Sequence, residues 1–329
     1  MTDFTVRSLL FSKKSYLPLT LAALSVMPLS LALAQADNAG DTPRTDYGKP
    51  DFQGYWSMTT VTPLERPPSL AGKEFFTPEE FAEFEAERLE VEETEPGTQA
   101  DVHYGFDDYG LHASQNVRAT NLRTSIIYDP PNGRIPDMTP AAASLRAERQ
   151  AYYQAHATDS AQDRMLQERC IVWPHNGPPM LPTGYNNNAK AVQTEDHFVF
   201  MQEMMQDPRI IALDDREPIA ANIGQWYGRS RGHWEGDTIV VETTNFTGIT
   251  GRGIPSISTD GKVTERFTMV SPDTMLYQFT VDDPATFTSS WSGEFHMQRT
   301  TGPMFEYACH EGNYGIVDVL SAARAAEEE

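Results

Sequence analysis

From about residue 188 onward, apolar and polar side chains alternate in short runs separated by turn residues, the period of half-buried strands. The alternation predicts strands over 190–194, 197–205, 208–213, 237–246, 262–270, 274–281 and 290–298. Successive side chains of a strand point to opposite sides, so Met275, Tyr277, Phe279 and Val281 share one face. Trp291, Gly293, Phe295 and Met297 do the same in 290–298. Ser271-Pro272-Asp273 marks a tight turn between two runs. A meander with one apolar face must bury it, by closing into a barrel or by packing on a second sheet. The expectation is a mainly β protein, an antiparallel barrel with a two-sheet sandwich as the alternative.

The first half of the chain reads differently. Asp51 to Trp56 predicts a first strand, and Ser125 to Tyr128 another, stopped by Asp129-Pro130-Pro131-Asn132-Gly133. Two peripheral helices are expected. Thr77 caps the first, Pro78 fills its first turn and Glu80 completes a capping box, giving a helix near 77–95 with Phe81, Phe84 and Leu89 inward. Thr139-Pro140 opens the second, near 139–156. Residues 98–122, rich in aromatics and glycine, read as a long loop of the kind that forms lids and binding walls. Residues 35–50 read as a flexible lead-in, 51–321 as one β-rich domain, and the Ala/Glu run at 322–329 as a disordered tail.

The extreme N-terminus reads as an address. Arg7, Lys13 and Lys14 precede an apolar run from Tyr16 to Leu33, broken by Pro18 and Pro28 and closing on Ala32-Leu33-Ala34. That small-x-small ending is a signal-peptidase pattern, so residues 1–34 are expected to be removed, leaving a periplasmic or secreted protein without a membrane span. Charge agrees with this picture. The chain carries 25 Lys+Arg against 47 Asp+Glu, and losing three basic residues and Asp3 takes the net charge from −22 to −24. Such acidity argues against nucleic acid and anionic membrane surfaces as partners. Only two cysteines remain, and in an oxidising compartment an even count favours a Cys170–Cys309 disulfide. A catalytic thiol is the alternative, because His310 follows Cys309, although adjacent strand residues face opposite ways.

Several blocks carry a resemblance: Glu168-Arg169-Cys170, Gly177-Pro178-Pro179, Tyr185-Asn186-Asn187, Trp234-Glu235-Gly236-Asp237 through Thr244-Asn245-Phe246, Glu265-Arg266-Phe267, and Glu306-Tyr307-Ala308-Cys309-His310-Glu311-Gly312-Asn313. Together they resemble a family of secreted bacterial proteins, from Pro50 to about Asn313, and that resemblance implies no particular activity. Separately, Gly54-x-Trp56 on the first strand, followed by a meander, is similar to the lipocalin-type barrel. That is a likeness of fold.

Strong local signatures are missing: there is no G-x-S-x-G, H-E-x-x-H, P-loop, dinucleotide fingerprint or C-x-x-C. No nucleotide cofactor is expected. The eight histidines are dispersed, so no metal ligands are assigned, while a three-histidine zinc site from separate strands stays open. The site must then be assembled from scattered polar residues. In the run 197–205, Glu203 sits among Met and Phe side chains, where a desolvated carboxyl suits general acid–base work. The plain alternative is an ion pair with Arg209 on the neighbouring strand. The loop from His175 to Asn188, stiffened by four prolines, offers His175, Asn176, Tyr185 and Asn187 to a substrate or an oxyanion. The alternative is that its asparagines bond their own turns. A Cys170–Cys309 bridge brings Glu168, Arg169, His175, Tyr185 and His310 together as the preferred site. Asn245, at the end of the run 237–246, is expected to reach into the barrel, whereas Trp226 and Trp234 read as core.

The sequence therefore points to an exported enzyme using acid–base chemistry on a small or oligomeric organic substrate, of lyase, isomerase or hydrolase type. Glu203, His310 and Tyr185 are its candidate catalytic residues; Arg169, His175, Asn187, Asn245 and Arg209 are its candidate substrate ligands. The alternative is a lipocalin-like carrier holding an apolar or aromatic molecule inside the barrel.

Overall fold

The computed structural model describes residues 42–89, 117–183, 186–217, 219–220, 222–249 and 255–328. Ten strands are present among them: β1 (Gly54–Ser57), β2 (Ile127–Asp129), β3 (Asn188–Gln193), β4 (His197–Gln202), β5 (Pro208–Ala212), β6 (Arg229–Glu235), β7 (Thr238–Thr244), β8 (Lys262–Ser271), β9 (Thr274–Asp282) and β10 (Trp291–Thr300). Neighbours run in the order β1-β3-β4-β5-β6-β7-β8-β9-β10, and β1 pairs back onto the end of β10 through Tyr55↔Thr300 and Trp56↔Arg299. The result is a closed nine-stranded barrel, with β2 lying outside it on the start of β10. Closure removes the sandwich alternative. The barrel is mixed rather than wholly antiparallel, because β5 and β6 run parallel and meet at the single pair Ala212↔Arg231.

Burial follows the strand period. Met275, Tyr277, Phe279 and Val281 on β9 and Trp291, Phe295 and Met297 on β10 are all shielded from solvent. Rings fill the interior: Phe198–Phe267, Phe267–Tyr277 and Tyr277–Phe295 stand with centroids 5.2 Å apart. Each such side chain contributes about 1.5–3 kcal/mol by leaving water, and the edge-on contacts add to that. Trp56 is wholly buried on β1, and its indole N–H donates to the Phe52 carbonyl at 2.8 Å.

Three helices lie outside the barrel: α1 (Pro78–Leu89), α2 (Pro140–His156) and α3 (Tyr314–Glu327). The first two begin as expected. Glu80 Oε2 accepts from the Thr77 N–H at 2.8 Å in the capping box, and Thr139 Oγ1 accepts from the Ala142 N–H at 3.2 Å. The third was not expected; it starts inside the span read as β-rich domain and runs through most of the 322–329 segment read as tail. Its Ala- and Glu-rich end is composed of strong helix formers, and these continue the helix to Glu327. Among the described residues no helix is long and apolar enough to cross a membrane.

Other boundaries also move. β6 falls between the expected strands 208–213 and 237–246, where no strand was expected, since its inward positions Ser230 and Gly232 are too small to show an apolar period. The lead-in is fixed from residue 44: Arg44 pairs with Asp237 and Lys49 lies over the Trp234 ring, both at the β6–β7 hairpin. Cys170 and Cys309 are disulfide-bonded, with Cα atoms 5.8 Å apart across 139 residues of sequence. The bridge ties the segment after β10 to the loop after α2, where Asn313 Nδ2 also donates to the Glu168 carbonyl at 2.7 Å. The expected signal segment, the extension of α1 to 95 and the aromatic residues Tyr104, Phe106 and Tyr109 lie outside the described residues.

Candidate active site

The parallel seam is the place where the barrel wall opens. With one ladder pair between them, β5 and β6 separate below Ala212 and Arg231, and a cleft of about 590 Å³ occupies the gap. Asp207, Pro208, Arg209 and Ile210 line it from the β5 side; Gln225, Trp226, Tyr227, Arg229 and Ser230 line it from the approach to β6. Two glycines shape this approach. Gly228 has φ +68°, and a Cβ there would lie 2.6 Å from the Thr244 carbonyl oxygen, so only glycine admits this tight turn into β6. A Cβ at Gly177 would lie 2.3 Å from the Tyr227 ring, so glycine lets the proline-rich loop close against that ring. The Tyr227 hydroxyl accepts from the Trp173 N–H at 2.8 Å, and burial pushes its phenol far above the ordinary value, keeping it neutral.

Beneath the cleft lies a buried polar network. The Arg209 guanidinium donates to both oxygens of Glu265, at 2.9 and 2.6 Å, and to Ser230 Oγ at 3.0 Å. Tyr277 donates its hydroxyl to Glu265 at 2.8 Å and accepts from the Met180 N–H at 2.9 Å. Ser230 is bonded in turn to Thr243. Burial works against the Arg209 charge, but the Glu265 carboxylate outweighs it and raises the arginine above its ordinary value. Burial first, and then Glu265, drives the Tyr277 phenol well above its ordinary range. One donor is left over: Arg209 Nε is buried without a partner.

At the mouth the charges are unpaired. Arg229 is half-buried, its Nε is sealed from solvent without a partner, and among the described residues it makes no ion pair. Asp207 is exposed and likewise makes no ion pair among the described residues, and partial burial of its carboxyl raises its pKa. Trp226 stands 39% exposed beside them, which corrects its reading as core. On its far side a small apolar notch is lined by Pro174, Pro178, Pro179 and Phe246. A guanidinium without an ion-pair partner, a carboxyl with a raised pKa and a partly exposed indole line the cleft together, the kinds of group that bind a polar molecule and exchange a proton with it.

Of the residues singled out from sequence, Arg209 lines this cleft, and its partner is Glu265 rather than Glu203. Glu203 is buried at 2% exposure, but β4 ends at Gln202, so it belongs to the turn leading to Asp207 and not to a strand face. Its carboxylate accepts from the Phe305 N–H at 3.2 Å and from Asn188 Nδ2 at 3.4 Å. Asn187 bonds its own turn, accepting from the Thr183 N–H at 2.7 Å and donating back to the Thr183 carbonyl at 2.6 Å. Asn245 does not reach into the barrel. β7 ends at Thr244, and a φ of +60° turns Asn245 outward, where Nδ2 donates to the carbonyls of Ala220 and Ile223 at 3.0 and 3.3 Å.

The disulfide brings Arg169 and His310 into neighbouring segments, with Arg169 donating to the Gln162 carbonyl at 3.1 Å and His310 exposed. His175 is partly buried, its Nδ1 lacks a partner, and burial lowers its pKa. Tyr185 lies outside the described residues. Among the described residues no group of three or more His, Cys, Asp or Glu side chains could hold a metal ion.

Comparison with protein-family models, with curated proteins and with solved structures found no match to this chain. Asp207 and Arg229 gave little signal in the sequence. Asp207-Pro208 reads as a strand boundary, and Arg229-x-Arg231-x-His233 shows no apolar alternation, because its alternate residues are Ser230 and Gly232.

Proposed function

We propose that the protein is an exported enzyme that acts by acid–base chemistry on a small organic molecule bound in the cleft between β5 and β6. One observation carries this reading: Asp207 and Arg229, opposite in charge and each without an ion-pair partner among the described residues, line the same cleft. Other described arginines pair with carboxylates, as in Arg209–Glu265, Arg266–Glu235 and Arg123–Glu294. In this reading Asp207 gives and takes the proton. Arg229 holds the negative charge that develops on the substrate. Tyr227 and Trp226 wall the cleft. A lyase, isomerase or hydrolase reaction needs these parts.

The cleft is preferred to the barrel interior as the ligand's place because Phe198, Phe267, Tyr277 and Phe295 occupy the interior. The Cys170–Cys309 bridge supports export to an oxidising compartment.

The test is to incubate purified protein with a small-molecule extract of its host culture and follow the mixture by mass spectrometry. One compound should be consumed as another grows, and Asp207→Asn should stop the change. A compound that co-purifies and is returned unaltered would show a carrier instead.

A further inference from the structure

The lining of the cleft also narrows the chemistry of its ligand. We propose that the cleft takes a small aromatic carboxylate, with the carboxylate on Arg229 and the ring on Trp226. The inference rests on the proposed site and adds the class of molecule that fills it.

Charge comes first. In a chain of 47 acidic and 25 basic residues, an arginine has many possible partners, yet Arg229 makes no ion pair among the described residues. Its neighbours are occupied: Arg231 donates to the Asp214 carbonyl at 2.9 Å, and Arg266 pairs with Glu235 at 2.9 Å. Donor count comes second. Arg229 Nε and Arg209 Nε are both buried without acceptors, and both residues line one cavity from adjacent strands. A buried N–H without an acceptor is costly, and a guanidinium fork matches the two oxygens of a carboxylate.

The ring follows from the wall. Trp226 is 39% exposed and lines the cleft, so a flat apolar group can lie against its indole. Asp207 sets the charge of the ligand. It is the carboxylate lining the cleft mouth, and a dianion such as a phosphate ester is repelled by it more than a monoanion.

The experiment titrates the whole protein with phenylacetate, phenylacetamide, acetate and phenyl phosphate, following binding by ligand-observed NMR. Phenylacetate should bind about 10- to 100-fold more tightly than phenylacetamide, the range of a hydrogen bond to a charged group. It should also bind more tightly than acetate or phenyl phosphate. Arg229→Met should bring the acid and the amide to equal affinity, and Arg229→Lys, which keeps the charge, should restore part of the difference. Trp226→Ala should lower phenylacetate toward acetate. Equal binding of acid and amide to the unaltered protein overturns the inference, as does tighter binding of phenyl phosphate. The proposed enzyme fails separately, if Asp207→Asn leaves the consumption of substrate unchanged.

Discussion

Arg209 on β5 grips Glu265 on β8 through both carboxylate oxygens, at 2.9 and 2.6 Å, reaching across the barrel over two intervening strands. Breaking one side of such a pair strands a buried charge. Glu265→Gln should therefore cost about 3–5 kcal/mol of stability, and Arg209→Met a similar amount. The double variant Arg209→Met/Glu265→Leu should lose much less than the sum, because no charge is left behind. Urea denaturation of the three variants checks this, and additive losses would refute the coupling.

The disulfide holds the segment after β10 against the loop after α2. Cys309→Ser should lower stability by about 2–5 kcal/mol, since the bridge closes a long stretch of chain. Residues 303–313 should then exchange their amide hydrogens faster than β8 or β9. Unchanged protection in that segment would mean that Asn313–Glu168 and Glu203–Phe305 hold it without the bridge.

Stability should fall on the acid side of neutrality. His175 and His296 both have their pKa lowered by burial, below the ordinary 6.5, and each has an unpartnered buried Nδ1. At His296 the Glu294 carboxylate opposes that effect and Arg123 adds to it. The unfolded chain thus binds more protons than the folded one. The histidines' contribution is complete above pH 6.5 and is lost as pH falls through their folded values. Melting temperatures measured between pH 7.5 and 5, in buffers of about equal ionic strength, should drop for the natural protein and drop less for His175→Asn/His296→Asn. Parallel curves would exclude these two residues as the cause.

Gly177→Ala places a methyl 2.3 Å from the Tyr227 ring, so ring or loop must shift. A stability loss of about 1–3 kcal/mol is expected from this overpacking. Tyr227 lines the cleft, so ligand binding should weaken in the same variant. A stable protein with normal binding would show that the loop yields instead.

Asn245→Ala removes the two side-chain bonds to the carbonyls of Ala220 and Ile223. Gln225 and Trp226 follow directly, so the expected outcome is weaker binding in the cleft with less than about 2 kcal/mol lost from the fold. A loss of stability without a binding defect would place Asn245 in folding alone.

Strand periodicity gave the sequence its clearest message, because the alternation of Met275, Tyr277, Phe279 and Val281 is local and survives without any partner strand. The helix caps at Thr77 and Thr139 are local too, and the Cys170–Cys309 bridge, though it joins distant segments, followed from there being only two cysteines to pair. The site was less legible. Glu203 was singled out as a carboxylate among apolar neighbours, yet four residues later Asp207 reaches the cleft, and which of them does so depends on where β4 stops. Asn245 was assigned to a face by parity, but one residue at positive φ ends the parity.

By itself the sequence determined the inward faces of β9 and β10 and the starts of α1 and α2, since each follows from side-chain order along a few residues, and its composition determined the net acidity. Tertiary structure alone decided the closure of β1 onto β10, the single parallel seam at Ala212 and Arg231, and the partner of Arg209. These are contacts between residues far apart in the chain, and no local pattern encodes which of several arginines meets which carboxylate, or which is left unpaired at the mouth of a cleft.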